Sequence, residues 1–121
     1  MEFQYKKLQS EDKRKEQSSI LLKNYPQKVP VVLEKEPTCK YLEIAKKRYL
    51  LDKKSTVSQF MQTIRRKTTL QEGYALFLHA KGKYSISGEK TFEDIYNDYK
   101  DKDGFLYIAY SHELIYGWIF L

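Results

Sequence analysis

Cys39, His79 and His112 are the side chains of this sequence best suited to nucleophilic or acid–base chemistry. A cysteine becomes a nucleophile only where a base, a cation or a helix N-terminus holds it as thiolate. Cys39 falls in a polar stretch that opens no helix, and His79 closes an apolar run, so all three read as bystanders. Asp101-Lys-Asp-Gly104 has the inner spacing of a calcium loop, but its first and twelfth ligand positions would be Tyr99 and Tyr110. Without those carboxylates the loop lacks the charge to hold the ion, and no metal site is expected. No glycine loop of phosphate-binding spacing is present. The remaining candidate is Gly117, which follows polar Ser111-His-Glu113 and precedes the bulky Trp118-Ile-Phe-Leu121. A glycine threads a narrow protease channel, and its freed carboxylate is unhindered. Nothing around Gly117 supplies a catalyst, so this chemistry belongs to other proteins. The chain is expected to be no enzyme and to need no cofactor.

The elements that would carry these residues follow from periodicity. Phe105 to Tyr110 has no charged residue and is rich in aromatics, as in a central strand buried on both faces. Thr56 to Lys67 is the strongest helix. Thr56 and Gln59 have capping-box spacing, and Val57, Phe60, Met61 and Ile64 form one apolar stripe. Ser10 caps an earlier helix with Glu11 and Asp12 in its first turn, and Pro26 stops it near Tyr25. Only the C-terminal half of that helix, at Ile20, Leu21 and Leu22, is apolar, so its N-terminal half is expected in solvent. Val29 to Leu33 is a short strand that Pro30 would confine to an edge or a strand start. Arg48–Leu51 and Ala75–Leu78 are strands, Lys81-Gly-Lys83 is a turn, and Thr91 caps a short helix with Phe92, Ile95, Tyr96 and Tyr99.

Two antiparallel strands, a crossover helix and a further pair predict an α+β, β-grasp fold: a mixed four-stranded sheet behind an N-terminal helical extension. The expected boundaries are 1–27 for the extension, 28–111 for the core, 112–117 for a flexible tail and 118–121 for a removable end. At 121 residues this is one domain with a single core. No secretory segment and no 18-residue apolar run stands in the sequence, which argues against export and membrane spanning. One cysteine excludes an internal disulfide and suits a reducing, cytoplasmic setting.

Residues 1–70 hold 17 basic and 8 acidic side chains, whereas residues 71–121 hold 5 and 8. Such asymmetry favours an anionic partner for one face, or is simply a solvated lysine-rich surface. The eleven tyrosines could in principle stack nucleic-acid bases. Most aromatics fall at core spacing, so no nucleic-acid partner is expected. If the strand at 47–52 is a sheet edge, it offers unpaired backbone groups to an extended peptide, flanked by Lys46, Lys47 and Arg48. The alternative is an edge that lysines keep from aggregating.

Several segments together resemble the autophagy ubiquitin-like modifiers of the GABA-A-receptor-associated-protein and light-chain-3 kind. They are Lys23-Asn-Tyr-Pro-Gln-Lys-Val-Pro-Val-Val-Leu-Glu-Lys35, Lys46-Lys-Arg-Tyr-Leu50, Thr56-Val-Ser-Gln-Phe60, Ile64-Arg-Arg-Lys67, Ala75-Leu-Phe77 and Asp103-Gly-Phe-Leu-Tyr-Ile-Ala-Tyr-Ser111. The resemblance spans essentially the whole chain. It implies a ubiquitin-like core preceded by two helices, and cleavage after Gly117 by a processing cysteine protease. It further implies that activating and conjugating enzymes join Gly117 covalently to phosphatidylethanolamine. The lipidated chain would then sit on autophagosomal and other cytoplasmic vesicle membranes.

The resemblance also implies receptors carrying aromatic-x-x-aliphatic motifs, with microtubules as a further partner. A first pocket, for the aromatic, would be lined by Leu21, Pro30, Arg48, Leu50 and Phe105. A second, for the aliphatic residue, would be lined by Tyr49, Leu51 and Phe60, with Lys46 and Lys67 near the motif's acids. The chain departs from the family where Asp52 replaces a usual proline, and Ser55 and Thr63 replace usual aliphatics, which would make the second pocket more polar. A peptide-binding or trafficking module that is never conjugated, with Gly117 merely ending a strand, is the alternative function.

Overall fold

The computed structural model of the chain describes residues 1–40, 42–68, 70 and 73–114. Residues 115–117 of the expected tail, Gly117 among them, and the removable end Trp118–Leu121 lie outside the described residues. Two helices lead, α1 (Gln4–Leu8) and α2 (Glu11–Asn24), followed by strands β1 (Lys28–Lys35) and β2 (Arg48–Asp52). Helix α3 (Val57–Lys67), strands β3 (Tyr74–Ala80) and β4 (Tyr84–Ser85), helix α4 (Phe92–Tyr99) and strand β5 (Leu106–Leu114) complete the chain. The sheet runs β2-β1-β5-β3-β4, with β1 and β5 parallel and the other neighbours antiparallel.

The mixed sheet therefore has five strands rather than the expected four. The extra one is the two-residue β4, too short for an alternating pattern to reveal. The Lys81-Gly82 turn makes it possible. Both residues have positive φ, 58° and 72°, which returns the chain with the twist a hairpin needs. Strand β5 also outruns its expected end, because β3 pairs with it as far as Tyr74 opposite Leu114. Residues 112–114, expected in the tail, belong to that strand.

The second departure concerns Pro30. Strand β1 is no edge but lies between β2 and β5. The Leu33 N–H donates to the Lys47 carbonyl at 2.7 Å, so Val29, Val31 and Leu33 are the residues that exchange hydrogen bonds with β2. Pro30 belongs to the alternate set, whose backbone faces β5. The parallel ladder to β5 opens one residue later, at Val31 opposite Leu106, so the missing N–H of Pro30 is not needed.

Both faces of the sheet are covered. On one, Val57, Phe60 and Ile64 of α3 and Phe92 and Ile95 of α4 pack on Val29, Val31, Leu33, Leu76, Leu106 and Ile108. The Thr56/Gln59 capping box forms as its spacing predicts. On the other face Phe3 and Tyr5 join Val32, Phe105, Tyr107 and Ala109, with Leu21 at the margin. Covered on both sides, every residue from Phe105 to Tyr110 is at most 2 % exposed.

The N-terminal half of α2 is only partly in solvent: Asp12, Lys13, Lys15 and Glu16 are exposed as its polar sequence suggests, but its inner edge is not. Arg14 and Ser18 are buried against Asp103. The Asp103 carboxylate pairs with the Arg14 guanidinium and accepts from the Tyr107 hydroxyl at 2.6 Å and the Phe105 N–H at 2.9 Å. Its backbone carbonyl accepts from the Ser18 hydroxyl. A buried charge is tolerated when paired and fully hydrogen-bonded, and this one is. Burial first, then the Asp103 contact, pushes the Tyr107 hydroxyl far above its ordinary pKa, so it stays a donor. Gly104 follows with φ 92°, and a Cβ there would stand 2.3 Å from Ser18 Oγ. Only glycine lets α2 approach so closely. The Asp-x-Asp-Gly run that resembles a calcium loop is a docking point for the N-terminal extension.

Candidate functional site

Among the described residues, strand β2 has a partner on one side only. Because Val29, Val31 and Leu33 of β1 hydrogen-bond to Leu51, Tyr49 and Lys47, the intervening Arg48 and Leu50 turn their N–H and C=O groups to the open edge. An edge in this state can take up one more strand.

A cleft flanks this edge on either side. The first, about 580 Å³, lies between α2 and β2. Leu21, Arg48, Leu50 and Phe105 line it. Pro30 does not. It is buried in β1, opposite Leu50 and behind it. Gln17 and Ile20 line the cleft as well. They were missed in the sequence, although Gln17, Ile20 and Leu21 stand at the i, i+3, i+4 spacing that marks one helical face.

The second cleft, about 290 Å³, lies between β2 and α3 and is lined by Tyr49, Phe60, Thr63, Ile64, Lys46 and Lys67. The Tyr49 and Phe60 rings meet edge-on at 5.1 Å and 80°. Leu51 does not line it but packs against the core beneath. Ile44 and Ala45 add a wall from the irregular connection, where no periodicity could announce them. Asp52 and Ser55 stand apart, in a separate polar pocket with Gln27, Lys53, Lys54 and Gln59. Asp52 is paired there with Lys28 at 3.0 Å, and its carbonyl accepts from Ser55 Oγ at 2.7 Å. Of the three polar departures only Thr63 faces the second cleft.

Cations rim both clefts, and the carboxylate lining the second, Glu43, is paired with Lys35. Lys46 lines both and holds its ammonium 4.8 Å over the Tyr49 ring. Lys67 joins it at the second, and Arg48 stands at the first. Burial raises the pKa of the Tyr49 phenol, which keeps it neutral beneath Lys46. The surface is thus an apolar double slot along a hydrogen-bonding edge, with positive charge at its margins.

The residues suited to catalysis do not assemble. Cys39 is buried with its Sγ 3.7 Å from the Leu42 carbonyl, His79 pairs with Glu36 at 3.0 Å, and His112 packs on the Tyr74 ring. Among the described residues no three His, Cys, Asp or Glu side chains gather as metal ligands, and no helix is long and apolar enough to cross a membrane.

Comparison with known proteins agrees with this geometry. The family described as "Autophagy protein Atg8 ubiquitin like" matches residues 13–117. The crystal structure of Trypanosoma brucei ATG8 is similar with a TM-score of 0.85 and 28% sequence identity, over 97% of this chain and 100% of that one. The match takes in α2 from Lys13 onward, the whole sheet and both clefts, and on it the chain belongs to the Atg8 family of ubiquitin-like autophagy proteins.

Proposed function

We propose that this chain is a lipid-conjugated modifier that recruits partners through the double slot at β2. An extended peptide adds to the edge by hydrogen bonds to Arg48 and Leu50, the β-augmentation mode. Its aromatic residue enters the first cleft and its aliphatic residue, three positions on, the second. Acidic neighbours meet Arg48, Lys46 and Lys67. The observation that carries this reading is the coincidence of outward-facing backbone at Arg48 and Leu50 with an apolar cleft on each side of them.

On the same reading a cysteine protease cuts after Gly117. Activating and conjugating enzymes then join the Gly117 carboxylate to the amine of phosphatidylethanolamine, as an amide. The family match ends at residue 117, which supports that assignment. The anchor is the lipid rather than the apolar tail. Burying each of the four tail side chains yields about 1.5–3 kcal/mol at best. Unpaired peptide groups and a terminal carboxylate oppose even that. Two acyl chains, at about 0.8 kcal/mol per buried methylene, suffice for stable anchoring. The lipid wins, and it would carry the chain from the cytoplasm to autophagosomal and other vesicle membranes.

Calorimetric titration of a Trp-x-x-Leu peptide tests the slot. Leu50→Ala should weaken binding by about 1–3 kcal/mol, the range for truncating a well-buried contact residue. Unchanged affinity sinks the peptide assignment. Gly117→Ala should abolish both processing and recovery with membranes in cells, read by intact mass. A lipid adduct on that variant would place conjugation elsewhere. Peptide binding with no adduct on the wild-type chain would identify a module that is never conjugated.

A further inference from the structure

Tyr5 of α1 does not line the first cleft, yet it touches three residues that do. Its ring meets Phe105 edge-on, with centroids 5.3 Å apart and planes at 75°. The Arg48 guanidinium carbon stands 5.4 Å over the same ring. The Tyr5 hydroxyl donates to Gln17 Oε1 on α2. One side chain thus braces three walls from behind: Phe105 just before β5, and the β2 and α2 walls. Tyr5 is itself held in place: its N–H and that of Gln4 donate to the two oxygens of the buried Glu34 carboxylate, at 3.0 and 2.6 Å. Filling the space beneath Phe105 would need only a bulky apolar residue. A ring face turned to an exposed arginine does more, because it draws the guanidinium into one orientation.

We propose that Tyr5 is the positioning residue of the first cleft: it holds Arg48 at the rim, where it meets an acidic residue beside the bound aromatic. This rests on the peptide reading of the cleft. A free arginine side chain must be ordered before it can pair with a ligand carboxylate, and one already stacked on a ring loses less freedom on binding. Helix α1 thereby sets how strongly the cleft prefers acid-flanked motifs, without touching the peptide.

The test compares two peptides, Asp-Asp-Trp-Ala-Ala-Leu and Ser-Ser-Trp-Ala-Ala-Leu, titrated against the full chain. The readout is the ratio of their affinities, in which any unfolded fraction cancels. Tyr5→Leu should reduce the preference for the acidic peptide by about 2- to 5-fold, the strength of an exposed cation–ring contact. Tyr5→Phe keeps the ring and should retain the preference. In an Arg48→Gln background Tyr5→Leu should leave the ratio unchanged. The proposal is overturned if Tyr5→Leu weakens both peptides equally or neither, if Tyr5→Phe loses the preference as fully as Tyr5→Leu, or if the effect persists without Arg48. A wild-type chain that binds neither peptide overturns the slot reading itself, an outcome distinct from these.

Discussion

On one face of the sheet α3 and α4 bring Val57, Phe60, Ile64, Phe92 and Ile95 against Val29, Val31, Leu33 and Leu76. On the other, the N-terminal segment brings Phe3, Tyr5 and Leu21 as apolar partners and adds the Arg14–Asp103–Tyr107 cluster. Apolar burial is non-directional and spreads over many contacts, so the first face tolerates small shifts and joins in global folding. A buried ion pair is directional, and losing one partner leaves a charge without compensation. The N-terminal layer is therefore the more separable of the two. The double slot at β2 straddles both, since its first cleft is walled by α2 and its second by α3.

Three measurements would break or sharpen that contrast. The largest effect belongs to Phe92→Ala. Phe92 is fully buried and stacks edge-on with Phe60 at 5.5 Å. Removing it should cost about 3–5 kcal/mol, read by urea unfolding as one transition shifted to lower denaturant. A loss below about 1 kcal/mol would mean that the apolar face is not the cooperative unit.

Next comes Asp103→Ala, which strips the acceptor from Arg14, Tyr107 and the Phe105 N–H together. The expected loss is about 3 kcal/mol, the lower end for removing one partner of a buried ion pair, because the Arg14 side chain keeps a little exposure to water. Hydrogen exchange should separate the layers: amides of α1 and α2 lose protection while those of β1 and β5 keep it. Equal loss across the sheet would show that the two faces fold as one.

The smallest effect is acid sensitivity at the margin of the N-terminal layer. Burial works against the Asp101 carboxyl, but the Lys6 ammonium at 2.6 Å and the Asp103 N–H outweigh it and hold its pKa below the ordinary carboxylate value. A depressed folded-state pKa stabilises above the unfolded value of about 4 and stops doing so as pH falls through the folded one. The pair is partly exposed, so the contribution is at most about 1 kcal/mol. Asp101→Asn should remove this increment near neutral pH and make no difference well below pH ~3. The same difference at both pH values would assign the effect to packing rather than charge.

Local rules made several parts legible in sequence. The Thr56/Gln59 capping box and the Val57/Phe60/Ile64 stripe involve residues three to seven apart, so α3 could be read directly and stands where expected. The uncharged run Phe105–Tyr110 announced a strand buried on both faces, because no charge can be left unpaired there. Leu21, Arg48, Leu50 and Phe105 were attached to one cleft by resemblance, and the fold does bring them together.

What tertiary structure alone decided is a matter of distance along the chain. Arg14 finds Asp103 across 89 residues, so one side of a helix half that looks solvated is buried, and an aspartate pair that resembles a calcium loop holds it there. Pro30 sits inside the sheet because the β5 ladder opens one residue after it, a register no local pattern encodes. Tyr5 lies behind the cleft only because Glu34, 29 residues on, holds its backbone. Hydrophobic periodicity records which side of an element is buried. It does not record which polar group waits on the other side, and that pairing exists only after the chain has folded.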